Sequence, residues 1–160
     1  MMTPRDQRTL TRITVTLYWS CLVFGLTLPG IITVTHDAYR RSGSWAGAWQ
    51  DFHLHLFAPG YNLFLVGVLN ALPFVVLAVF LLFHLGTAFP LGPVIVARRL
   101  AGVLGACAAA FGLSLWLHLS LTPHPDAQGA ISLFFLPFYM LLLMPVGYGC
   151  GRLIGHIAGQ

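Results

Sequence analysis

The sequence predicts an all-α membrane protein, with four transmembrane helices in one bundle and a short interfacial helix in the first outer loop. Three observations lead there. Of the 160 residues, 58% are hydrophobic and 8% are charged, against about 25% charged in ordinary soluble domains. The apolar residues gather into four long runs without an internal charge. The arginines sit at the ends of those runs. Mean hydropathy is +0.82, more apolar surface than a fold this size can hide from water, so lipid is the expected solvent. The length suits a single domain spanning 1–160.

The runs are Ile13–Thr35, Tyr61–Leu85, Leu100–Leu121 and Ala130–Gly151. Each exceeds the ~20 residues that a helix needs to cross a ~30 Å hydrocarbon layer. Unbroken apolar runs satisfy their backbone in lipid as helices, and the alternation of a barrel strand is absent. The first run follows Arg5, Arg8 and Arg12, as a secretory signal would. It is too long for a signal's apolar core and no small-residue cleavage site follows, so it is expected to be a retained helix.

Charge placement sets the expected orientation. The eight basic residues are all Arg, and the acids are Asp6, Asp37, Asp51 and Asp126, with no Lys or Glu. In a four-crossing chain Arg5, Arg8, Arg12, Arg98, Arg99 and Arg152 share one side and Arg40 and Arg41 the other. The excess places both termini in the cytoplasm. Arg usage without Lys is associated with GC-rich bacterial genomes, which points to the inner (plasma) membrane. The net charge of +4 faces lipid head groups, and no aromatic-interleaved basic patch suggests nucleic acid.

The first outer loop carries Trp45, Trp49, Phe52, Leu54 and Phe57 between Gly43 and Phe57, which predicts a short helix in the aromatic belt of the interface. The second outer loop is turn-like, with Pro123 and Pro125. Pro29, Pro73, Pro137 and Pro145 fall inside crossing helices, where simple curvature is the leading expectation. Cys21, Cys107 and Cys150 lie far apart in apolar runs and read as small packing residues.

Lipid offers no hydrophobic drive for helices to associate, so small residues must permit close contact. Gly147, Gly151, Gly155 and Gly159 recur every fourth residue, and Gly102, Ala106 and Ala110 do so in the preceding helix. Tight packing of these two helices is expected, or mating of one glycine face with another chain. The expected partners are the lipid bilayer and either other membrane subunits or a second copy, held through Gly147, Gly151 and Gly155.

Candidate chemistry comes from the polar groups. Asn62, Asn70 and Ser114 fall within or beside the spans as interhelical hydrogen-bonding groups or a polar lining for a ligand or permeant. His36, His53, His55, His118 and His124 cluster toward the outer side with Asp126, a donor set for a transition metal. On a helix His53 and His55 would point roughly 200° apart and fail to chelate together. His36, His55 and His118 share one depth, as axial ligands of a haem b would. The stretch from His53 to Gly60, continuing through Asn62 to Gly67, faintly resembles the haem-ligand helix of haem–copper oxidases. That likeness rests on one His and two Gly, and the rest of the chain does not share it.

No nucleophile elbow, phosphate-cradling glycine loop or H-E-x-x-H occurs, and no carboxylate lies inside a span. The expectation is therefore a non-catalytic accessory, assembly or structural subunit of a membrane complex or homo-oligomer. The alternatives are a haem- or metal-binding redox protein using the outer histidines, and a small oligomeric channel or transporter.

Overall fold

The computed structural model describes residues 3–41, 43–59, 62–88, 91–123 and 127–158. Among these residues five α-helices follow in order: α1 (Pro4–His36), α2 (Trp45–His55), α3 (Leu63–Gly86), α4 (Pro93–Leu121) and α5 (Ala127–Ile157), with a π-helical turn, Asp37–Arg41, after α1. Strands are absent among the described residues. Helices α1, α3, α4 and α5 are each long and apolar enough to cross a membrane, so the chain is an all-α, multi-pass membrane bundle.

Three spans run past their apolar segments at the arginine-bearing end. Helix α1 begins at Pro4 instead of Ile13 because its first turn is capped. The Thr3 hydroxyl accepts from the Asp6 N–H at 3.2 Å, the Asp6 carboxylate accepts from the Thr3 N–H at 3.2 Å, and Pro4 opens the helix. Hydropathy sees only the lipid-embedded part, and the T-P-x-D cap marks the true start. Helix α4 likewise begins at Pro93 behind Gly92, and α5 reaches Ile157.

The helix predicted in the first outer loop is α2. Gly43 adopts φ 62° and turns the chain, and the Ser44 hydroxyl then accepts from the Gly47 N–H at 3.1 Å as N-cap. Ala48 is fully buried while Trp45 and Trp49 stay exposed. Phe52 rests on α1, where a Cβ on Gly30 would stand 3.0 Å from its ring.

Helix α3 is the hub: it packs on α1, and also touches α4 and α5. Its buried positions Leu63, Gly67, Asn70, Phe74, Leu77, Leu81 and Leu85 recur every three or four residues, one continuous stripe. Phe74, Leu77, Leu81, Val103, Leu136 and Met140 fill the interior with at most 2% exposure each.

The extensive seams join α4 to α5 and α1 to α3. In the first, Gly105 approaches Gly151 so closely that a Cβ on Gly105 would stand 2.9 Å from the Gly151 Cα and run into the Gly147 carbonyl. Gly147 and Gly155 are pressed on Ala109 and Ala101. The glycine face that the sequence left open to another chain is therefore occupied by α4; Gly159 lies outside the described residues. At the α3–α4 connection Leu10, Ala88 and Val96 cluster, which brings the N-terminal turns and that connection to one end. Gly155 of α5 lies over Ala101 and Arg98 of α4 at the same end.

Candidate functional site

The polar groups of the spans meet where a proline has opened a helix. Pro29 has no N–H, so the Gly25 carbonyl, four residues earlier, loses its helical partner. Asn70 of α3 supplies the missing donor: its Nδ2 reaches the Gly25 oxygen at 2.7 Å. Its Oδ1 accepts from the Ser114 hydroxyl of α4, also at 2.7 Å. Asn70 and Ser114 are 2% and 0% exposed, so one proline in α1 is repaired by a bridge running across three helices. These two residues, expected as interhelical bonds or as a lining, form the bonds.

One turn beyond Ser114 stands His118. It is 4% exposed, yet its Nε2 has no hydrogen-bond partner. An unpaired buried polar atom costs about 1–3 kcal/mol. The His118 ring lines a cavity of about 150 Å³ between α3 and α5, together with Asn62, Leu69, Asn70, Leu133 and Phe134. Asn62 is the N-cap of α3, its Oδ1 accepting from the Leu65 N–H at 2.9 Å. Pro73 cannot donate to the Leu69 carbonyl, nor Pro137 to the Leu133 carbonyl. Two residues of the wall thus carry carbonyls without their helical donor. Its walls hold the His118 imidazole and the Asn62 amide, with no carboxylate among the described residues there, a chemistry for small, neutral hydrogen-bonding species. It lies below the 300–1,000 Å³ typical of drug-sized sites, too small for a macrocycle.

The other histidines of the expected donor set go elsewhere. His36 Nδ1 faces Asp37 Oδ1 at 3.5 Å. His53 and His55 are both on helical α2, so the arrangement that would let them chelate together does not form. His55 Nδ1 bonds the Asp51 carbonyl at 2.8 Å, while His53 stands edge-on to Trp49 with centroids 4.9 Å apart. Neither His36 nor His55 is in the wall of the His118 cavity. Among the described residues no three His, Cys, Asp or Glu side chains converge on a metal position. His124 and Asp126, the remaining members of the expected donor set, lie outside those residues.

A second polar constellation lies at the arginine end. Gly102 leaves a notch that the Tyr148 ring fills, a Cβ there standing 2.6 Å from the ring. Tyr148 Oη then hydrogen-bonds His84 Nε2 at 2.7 Å, and Phe80 stacks on the imidazole, centroids 4.9 Å apart. Arg99 donates to the His84 carbonyl at 3.0 Å and the Thr87 hydroxyl at 3.1 Å, closing the C-terminus of α3. Sequence reasoning passed over this group because it sought shared depth among histidines alone. A His, a Tyr and an Arg at the same end of successive spans was the available signal.

No protein-family model, curated protein or solved structure matches the chain.

Proposed function

We propose that the chain is a non-catalytic subunit of the inner (plasma) membrane, both termini cytoplasmic, that works by holding other components together in a membrane complex or homo-oligomer. The observation that carries this is the filled interior. Between the Asn70–Ser114 bridge and the arginine end, the bundle axis is occupied by Phe74, Leu77, Leu81 and Met140, each 2% exposed or less. Asn70 and Ser114, which would line a path, are bonded across helices. That weighs against a pore through one copy and against a reaction chamber. The outward faces carry protruding Trp19, Trp116, Phe83, Phe138 and Tyr139, surfaces open to lipid or to a neighbouring helix.

The test is native mass spectrometry after mild extraction from a membrane expressing the chain at its natural level. Particles of defined stoichiometry, heavier than the 17.5 kDa chain, are expected. A lone chain in every detergent, with no companion after cross-linking in the intact membrane, refutes the reading.

A second reading is favoured by the His118 Nε2, which is buried, unpaired and lines a cavity: a ligand held at the outer end. The cavity is too small for haem b and, among the described residues, no second His, Cys, Asp or Glu lines it, so the ligand of this reading is a small neutral hydrogen-bonding molecule. A small molecule that stays with the protein in native mass spectra, and that His118→Leu abolishes, would establish it. Clean spectra, with His118→Leu unaltered in stability, remove this reading and leave the subunit.

A further inference from the structure

The groove between α3 and α5 at the arginine end has the build of a lipid site. Its volume is about 500 Å³. Val76, Leu77 and Phe80 of α3 form one wall, and Leu141, Met144 and Pro145 of α5 the other, with Ala106 of α4 at the back. The rims are open to the surroundings, since Val76 and Leu141 are exposed. From Leu141 to Arg152 the α5 wall rises about 16 Å at 1.5 Å per residue, close to half of a ~30 Å hydrocarbon layer. The slot is as deep as one leaflet.

Its polar end differs from its walls. There stand His84, Tyr148 and Arg152, with Arg99 fixed beside them on the His84 carbonyl. No carboxylate pairs with Arg98, Arg99 or Arg152 among the described residues; the ion pair found there is His36–Asp37 at the other end. The acid nearest in the topology, Asp6, is engaged in the cap of α1. A guanidinium at a membrane surface without a counter-charge among the described residues is matched by a phosphodiester, which also suits its forked donors.

We propose that this groove binds an anionic phospholipid, with an acyl chain between α3 and α5 and the phosphodiester on Arg152, near the Tyr148–His84 pair. The cation selects the charge of the head group, and the apolar slot selects a lipid over a free anion.

The test uses delipidated protein in a neutral detergent, titrated with phosphatidylglycerol, phosphatidylcholine or inorganic phosphate. Bound lipid is read by native mass spectrometry and stability by thermal unfolding. Phosphatidylglycerol should bind at least tenfold more tightly than phosphatidylcholine and raise the unfolding temperature, while phosphate alone does neither. Arg152→Gln should cut the preference at least fivefold and Arg152→Lys should keep part of it. Val76→Trp, at an exposed rim position, should block binding without loss of fold. Arg8→Gln, on α1 away from the groove walls, should change binding by less than twofold. Equal losses for Arg8→Gln and Arg152→Gln would show diffuse surface attraction and overturn the site. Phosphate competing with the lipid, or Val76→Trp binding normally, would overturn it as well.

Discussion

The two main seams of the bundle hold by different means. Between α4 and α5 the contact is backbone on backbone: Gly105, Gly147 and Gly151 leave no room for a Cβ. Between α1 and α3 the contact is made by side chains entering notches. Phe74 fills the space over Gly25, where a Cβ would stand 2.7 Å from its ring, and Asn70 reaches the carbonyl that Pro29 exposes. Lipid tails are as apolar as leucine, so neither seam is driven by escape from water. One replaces that drive with van der Waals contact at the closest possible range, the other with a polar bond formed where water is absent. The difference teaches that a proline inside a span need not act as a hinge. Here its orphan carbonyl serves as an anchor point for the neighbouring helix.

Breaking the glycine seam should have the largest effect. Gly105→Leu has no relaxation open to it, because the obstacles are the Gly147 carbonyl and the Gly151 backbone. It should cost more than about 3 kcal/mol, beyond the usual range for overpacked cores, and abolish a monodisperse peak on size exclusion. Gly112→Leu is the control: nothing lies within 4 Å of its Cβ position, and unfolding in mixed detergent should shift little. If both variants behave alike, the seam is not what orders α4 and α5.

The ring-in-notch contact should be softer. Gly25→Ala pushes on Phe74 at its Cβ as well as its ring, at a cost of about 1–3 kcal/mol. Phe74→Leu in the same chain should recover part of the loss, measured by the same unfolding titration. No recovery would mean that the backbone of α1, not the ring, takes up the strain.

The polar bridge should be smaller again and can be dissected by a cycle. Asn70→Ala strands both the Gly25 carbonyl and the Ser114 hydroxyl and should cost about 1–2 kcal/mol. Pro29→Ala restores an N–H for the Gly25 carbonyl, so in that background the cost of Asn70→Ala should fall by roughly half. An unchanged cost would disprove the repair of the proline by Asn70.

The smallest effect belongs to His118. Without a ligand its Nε2 is a buried, unpaired atom, so His118→Leu should be neutral or stabilising by about 1 kcal/mol. A clear loss of stability in protein taken from its native membrane would instead show that the cavity is filled there.

How much of this was readable in advance differs by element. The spans were legible because apolarity over ~20 residues is a property of the chain itself. Helix α2 was legible from its indole spacing, Trp45 and Trp49. The contact face of α4 and α5 was legible from the period of Gly147, Gly151 and Gly155, although the sequence left open whether α4 or another chain would meet it. The polar residues were harder. Asn70 and Ser114 were visible as candidates, but not as partners of one another, and the link from Pro29 through Gly25 to Asn70 joins residues 45 apart. His118 was grouped with His36 and His55 by depth, and its neighbours in space are instead Asn62, Asn70 and the wall of α5.

The amino-acid order alone determined that the chain enters lipid, how many times it crosses, and that six of the arginines share one end. Those follow from transfer free energies that add along the backbone and do not depend on which helices become neighbours. Only the tertiary structure decided that α3 is the hub, that Asn70 answers the proline of α1, and that Tyr148 reaches His84 through the notch at Gly102. Such pairings depend on the rotation of each helix about its own axis, and that angle is set by the shapes of all the surrounding helices at once.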